Sequence, residues 1–239
     1  MERKTESLQG INTDTFDFDG AVEYAFKHRG QVVTLNPEMV MFANKNPDFK
    51  KILQSAELVI PESVGIELGL KILGKYGIKR IAGIKFSYQM LKKFTQNHLP
   101  VALIGAKQAV LNDACDNLKN EIKDLNIVYF QNGYFTDSEK VKNELINSGA
   151  KLALIALGSP KQEKFIYDVK SNMPETLFIG VGGSFDVWAG AVERAPESWQ
   201  KVGLEWLYRT IRQPARFKRI FPALPVFVLK VLKERFLGC

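Results

Sequence analysis

Apolar runs of four to seven residues alternate along this chain with stretches in which apolar positions recur every three or four residues. Short apolar runs bounded by turn residues fit strands buried on both faces, and the longer periodic stretches fit amphipathic helices. Strands are predicted at 32–35, 58–61, 101–105, 127–130, 152–157 and 177–181. Helices are predicted at 21–28, 37–43, 48–55, 64–73, 86–97, 108–124, 138–148 and 161–171. Alternation of this kind builds βαβ units, so the expected fold is α/β, with a mostly parallel sheet flanked by helices. A further helix is expected over 198–212, closed by Pro214. The predicted division is a body over 1–195 and a C-terminal helical appendage over 196–239.

In such a sheet ligands sit at the carboxyl ends of the strands. That edge collects Thr34, Asn36, Glu62, Gly105, Gln162 and Asp186, which are far apart in sequence. Two glycine turns follow apolar runs there: Gly158-Ser159-Pro160-Lys161-Gln162-Glu163 and Gly180-Val181-Gly182-Gly183-Ser184-Phe185-Asp186. Each presents backbone N–H groups and a helix start to an anion, and the pair points to a phosphate-bearing substrate. Neither matches G-x-G-x-x-G or G-x-x-x-x-G-K-[ST], so the dinucleotide and P-loop fingerprints are absent. Tight turning alone also explains Gly182 and Gly183. Glu62, between a buried strand and a helix, can take a proton from a sugar hydroxyl; it reads equally well as an acid in a first helical turn. Asn36 before Pro37 reads as an N-cap. Capping leaves Thr34 without a role, whereas in a functional reading Thr34 and Asn36 orient sugar hydroxyls or a base.

Charge changes the picture at the C-terminus. The net charge of +7 is concentrated in 209–219, which holds Arg209, Arg212, Arg216, Lys218 and Arg219 and no acid. An apolar segment with Pro222 and Pro225 follows, and the two prolines are expected to break it. Cations followed by apolar residues suit an anionic membrane surface. A helix docked on the body with a solvated basic face is the plainer reading, and nucleic acid is a third, without any reading motif to support it. Cys115 and Cys239 offer neither a disulfide framework nor a zinc site, which fits a reducing cytoplasm. The polar first ten residues contain no export segment, and no run approaches the roughly 18 apolar residues of a spanning helix. Asp17-Phe18-Asp19 has the D-x-D form of some metal-binding transferases, but it precedes a helix that Asp19 is expected to cap. His28 and His98 stand alone. No metal or other cofactor is expected, so a departing diphosphate would need arginines or helix starts to neutralise it.

In chain order the motifs are Thr-x-Asn (Thr34), Pro-Glu-x-x-Gly (Glu62), Arg-x-x-Gly (Arg80), Gly-Ser-Pro-Lys-Gln-Glu (Gln162), Gly-Val-Gly-Gly-Ser-Phe-Asp (Asp186) and Ala-Pro-x-x-x-Gln-x-x-Gly-Leu-Glu-Trp-Leu-Tyr-Arg (Arg209). With them the chain resembles the WecG/TagA/CpsF family of bacterial glycosyltransferases, from about residue 11 onward. The resemblance implies a Rossmann-like body and a metal-independent, inverting transferase at the cytoplasmic face of the membrane. It implies a UDP-linked N-acetylmannosamine or related donor, and N-acetylglucosamine on undecaprenyl diphosphate as acceptor, in teichoic acid or other surface polysaccharide synthesis. Carried over by position, the base falls on Glu62, its neighbours on Thr34 and Asn36, and phosphate-side groups on Arg80 and Gln162. Arg209, Arg216 and Arg219 would complete the site from the appendage. Two departures stand out: Pro-Glu62-Ser63 replaces the usual Pro-Asp-Gly, and Gly83-Ile84-Lys85 replaces Gly-x-Asp. Both bear on the sugar more than on the reaction type. A regulator that binds nucleotide sugar without turning it over is the main rival, and an oligomer that hides the apolar appendage is a further expectation.

Overall fold

In the computed structural model the described residues are 3–193, Pro196, Trp199, Tyr208 and 217–237, the last segment with side chains from Leu224 onward. Six strands form one wholly parallel sheet: β3 (Gly30–Leu35), β4 (Leu58–Pro61), β5 (Val101–Gly105), β6 (Ile127–Gln131), β7 (Leu152–Ala156) and β8 (Leu177–Gly180). Their spatial order is β4-β3-β8-β7-β5-β6. The connection from β5 leaves toward β6 and that from β7 leaves toward β8, so the chain reverses direction between two neighbouring strands. That is where a doubly wound sheet opens a crevice at its carboxyl edge.

All five residues of β5 are buried, as are the four of β8. Covering both faces takes two layers of helices. One layer holds α1 (Phe18–His28), α5 (Gly83–Gln96), α6 (Gln108–Glu121) and the short α9 (Ser184–Trp188), packed on Val32, Ile60, Leu103, Leu154 and Ile179. The other holds α7 (Ser138–Asn147) and α8 (Lys161–Val169) over Ala102, Ile155 and Phe178. Beyond them, α2 (Pro37–Ala43), α3 (Pro47–Gln54) and α4 (Val64–Ile72) cover Val33, Leu35 and Val59.

Four local differences from the sequence expectation have physical causes. An antiparallel hairpin, β1 (Thr5–Leu8) and β2 (Ile11–Asp14), precedes the sheet, and no strand is predicted there. Its Asp14 is buried, accepts two hydrogen bonds from Arg3 at 2.6 and 3.0 Å, and accepts the Val59 N–H at 2.7 Å, which clips the hairpin to β4. Helix α1 starts at Phe18 because Asp17, not Asp19, caps it through the Gly20 N–H at 2.8 Å. Helix α5 starts at Gly83, three residues before the expected 86, a start that Ala82 leaves unsignalled because it has no capping side chain.

The fourth difference is the last helix, α10 (Phe217–Leu237), which runs through Pro222 and Pro225. A helix-interior proline costs about 3 kcal/mol. Phe227 and Val231 are fully buried with Leu8, Ile66 and Leu70, and burying such side chains returns about 1.5–3 kcal/mol each. Gln9 adds bonds from its backbone N–H and its Nε2 to Glu234 at 3.1 and 2.6 Å, so the tail end of the chain is fastened to the first hairpin. Val226, Leu229, Phe236 and Leu237 of the same helix stay exposed. No helix among the described residues is long and apolar enough to cross a membrane.

Candidate active site

The strand ends bring the expected residues to one edge in the order Glu62, then Thr34 and Asn36, then Gly182, Gly183 and Asp186, then the Gln162 helix start, then Gly105. Glu62 follows β4 directly, and its N–H donates to Leu35 O at 3.0 Å, so it stays level with the end of β3. Thr34, half-buried one strand over, donates its hydroxyl to Gly180 O at 3.2 Å and joins β3 to β8. Asn36 is the N-cap of α2, accepting the Met39 N–H at 3.0 Å with Pro37 behind it. The capping reading of Asn36 is therefore satisfied, and its side-chain nitrogen makes no bond of its own among the described residues.

Gly83 measures how close these groups come. A Cβ placed on it would lie 3.2 Å from Thr34 Cγ2 and 3.4 Å from Glu62 Cγ. The first turn of α5 thus rests directly on the Thr34–Glu62 pair, and its N-cap residue, Ala82, brings no side-chain cap. The loop before it is pinned by Ile81 N–H to Pro61 O at 2.8 Å, and by Arg80 N–H to Glu67 Oε2 at 3.0 Å. Burial raises the Glu67 carboxyl, but hydrogen bonds from Lys71 and the Arg80 backbone outweigh it and hold the group below its ordinary range. A charged Glu67 keeps Arg80 beside the edge. Lys85 is exposed in the first turn of α5, close to this convergence.

Gln162 is almost wholly buried. Its Oε1 accepts the Gly182 N–H at 3.1 Å and its Nε2 donates to Glu163 Oε1 at 2.8 Å. It therefore shapes the Gly182-Gly183 turn from within, where φ of Gly182 is +51°. Glu163 was not picked out by sequence, because Lys161-Gln162-Glu163-Lys164 reads as a solvated helix start. Yet it is 2% exposed, and Gln31 Nε2 donates to its backbone oxygen at 3.4 Å. Burial pushes the Glu163 carboxyl up from its ordinary 4.5, against hydrogen bonds from Gln162 and Ser159 that pull it down. Its Oε2 has no partner among the described residues, and protonation would turn that orphan acceptor into a hydroxyl.

The sign of the consequence is definite. A carboxyl raised on folding contributes stability that is whole below about 4.5 and erodes as pH climbs through its folded value. Glu163→Gln, which copies the neutral form, should flatten that decline in urea unfolding followed from pH 5 to 8. Parallel profiles for the two proteins would show that Glu163 is ionised in the fold.

Asp17 is spent on its cap, and among the described residues no three His, Cys, Asp or Glu side chains gather as a metal site. His28 stacks on Tyr24 with ring centroids 4.1 Å apart. Cys115 is buried, and burial raises its thiol to about 11, which leaves it protonated and inert. Arg209 and Arg216 lie outside the described residues. Arg219 is in the first turn of α10, with its side chain outside the description.

The profile of the Glycosyl transferase WecG/TagA/CpsF family matches residues 6–238. The chain belongs to this family. Among similar proteins is the N-acetylglucosaminyldiphosphoundecaprenol N-acetyl-beta-D-mannosaminyltransferase of Bacillus spizizenii strain W23, 34% identical over 230 residues, which are 95% of this chain and 89% of that protein. The protein of the same name from Bacillus subtilis strain 168 is 31% identical over 237 residues, 97% of this chain and 92% of its own. Within this WecG/TagA/CpsF protein, both sequence departures fall near the start of α5. Glu62 lies against Gly83, and Lys85, two residues on and exposed, is in the same first turn.

Proposed function

We propose that this chain moves N-acetylmannosamine, or a closely related sugar, from a UDP donor to N-acetylglucosamine on undecaprenyl diphosphate. The transfer inverts the anomeric centre, needs no metal, and takes place at the cytoplasmic face of the membrane in the synthesis of teichoic acid or another surface polysaccharide. The observation that carries this reading is the contact of one helix start with both Thr34 and Glu62, beside a glycine turn held open by Gln162. Family membership and the names of the two relatives support the sugar and the acceptor.

The chemistry is a single displacement. The Glu62 carboxylate takes the proton of the acceptor hydroxyl as that oxygen forms its bond to the anomeric carbon. The bond from that carbon to the β-phosphate oxygen breaks on the opposite side, and its electron pair leaves with UDP. Negative charge growing on the diphosphate meets the Gly183 backbone N–H at the turn that Gln162 shapes through Gly182, with Arg80 and the appendage arginines Arg209, Arg216 and Arg219 as counter-charges. Thr34 and Asn36 orient sugar hydroxyls. Attack from one face and departure from the other give inversion.

The test incubates the full chain with UDP-N-acetylmannosamine and a prenyl-diphosphate N-acetylglucosamine, with and without EDTA. A disaccharide lipid of inverted anomeric configuration, formed at equal rates in both arms, is the expected product. UDP binding with no product would leave a nucleotide-sugar-binding regulator, and loss of product in EDTA would overturn the metal-free scheme.

A further inference from the structure

The C-terminal end of α10 does not finish in open solvent. Arg235 Nη1 donates to Leu73 O at 3.4 Å, and its guanidinium lies 3.3 Å from where a Gly74 Cβ would be. That contact sets Phe236 and Leu237, 77% and 66% exposed, next to the loop that follows α4. The tip of this loop is Tyr76, 79% exposed and the most exposed large apolar side chain in the molecule's described part. Tyr76, Phe236 and Leu237 thus lie within three residues along the chain of the Arg235–Leu73 contact, and a monomer has no folding reason to keep such side chains in water.

The charges around the patch have one sign left over. Glu6 is offset by Lys75 at 3.0 Å, and the one charge of Glu234, which accepts from neutral Gln9, is outnumbered by Lys79, Lys233 and Arg235. Lys79 and Lys233 carry no acidic partner within ion-pair distance among the described residues. Aromatic side chains flanked by cations match the headgroup layer of an anionic bilayer, where ring and headgroup meet and cations are drawn to the surface charge.

The geometry points to the loop around Tyr76, in the body of the protein, as a second membrane contact that docks together with the end of α10 on anionic lipid. The inference rests on the membrane-surface reading above and adds a specific body element to it. The loop runs on through Arg80 to Ile81, which is bonded to Pro61 beside Glu62. Seating Tyr76 in the headgroups therefore tethers to the bilayer the segment that reaches the Thr34–Glu62 edge.

Co-sedimentation of the full chain with vesicles of phosphatidylcholine and phosphatidylglycerol tests this, against vesicles of phosphatidylcholine alone. Tyr76→Ala combined with Lys79→Glu should weaken binding to the anionic vesicles about tenfold or more. The same variant should keep wild-type turnover on a short-prenyl acceptor dissolved in water, and lose turnover on a long-prenyl acceptor embedded in the vesicles. Phe236→Ser serves as the comparison on α10. Wild-type vesicle binding by the loop variant, with loss only in Phe236→Ser, would overturn the loop contact while leaving the membrane reading intact. Failure of the wild-type chain to bind anionic vesicles would overturn both. Self-association of the wild type that Tyr76→Ala disperses, without any change in vesicle binding, would assign the patch to a second copy of the chain instead.

Discussion

Glu62→Gln is expected to lower turnover by roughly 10²–10⁴-fold, the usual contribution of a general base, with little change in folding. Gln keeps the length and the hydrogen-bonding reach of Glu and removes only the capacity to accept a proton. The backbone bond from residue 62 to Leu35 O is indifferent to the side chain, so the strand end stays where it is. Donor KM should stay near its wild-type value, because the turn after β8 proposed to hold the diphosphate is separated from β4 by β3. Glu62→Asp is the informative companion. Shortening the side chain by one methylene moves the carboxylate away from the Gly83 contact and restores the acid usual in the family, so partial activity with an altered acceptor preference is the expected result. Near-wild-type turnover in a folded Glu62→Gln protein would remove the base assignment and return Glu62 to an acid at a helix start.

Five strands of the sheet were readable because parallel strands are covered on both faces, whereas the edge strand β6, with Val128 and Phe130 exposed, was readable only as a short apolar run. A stretch such as Val101–Gly105 must then be apolar throughout, and no solvent-facing residue interrupts it. The first hairpin gave no such sign. It is half exposed, and its turn is Gln9-Gly10 with φ of +51° and +69°, where glutamine is not a residue that announces a left-handed turn. Helix starts were legible where a side chain caps, as at Asn36, and lost where none does, as at Ala82. The same holds within the site. Thr34, Asn36 and Glu62 could be placed from the rule that ligands gather at strand ends. Glu163 could not, because its burial depends on Gln31, 132 positions away, and nothing in Lys-Gln-Glu-Lys reports that neighbour. The prolines of α10 show the opposite error: a local rule read correctly was overridden by the docking of Phe227 and Val231.

Two glycines at strand ends on either side of β7 should fail in different ways when a methyl group is added. At Gly105 φ is +130°, and a Cβ would fall 2.4 Å from Ala156 O and 2.5 Å from its carbon. Both obstacles are backbone of the adjoining strand, held in register from Val101 to Gly105, so neither can give way cheaply. Strain at a disfavoured φ and overpacking each cost about 1–3 kcal/mol. Gly105→Ala should therefore lose about 4 kcal/mol, or roughly 8–16 °C in Tm for a domain of this size. At Gly180 the obstacle is the end of a side chain, with Gln162 Nε2 2.5 Å and Cδ 3.0 Å from the new methyl. Gln162 can swing aside, but in doing so it releases the Gly182 N–H and Glu163 together. Gly180 O also holds the Thr34 hydroxyl, so both halves of the edge feel the change. Gly180→Ala should keep most of its stability while donor KM rises and turnover falls by about tenfold or more. Thermal unfolding and donor kinetics on the two variants separate the cases. An unchanged Tm in Gly105→Ala would mean the β5–β7 edge is looser than its register implies, and an unchanged donor KM in Gly180→Ala would detach the Gln162-held turn from the diphosphate.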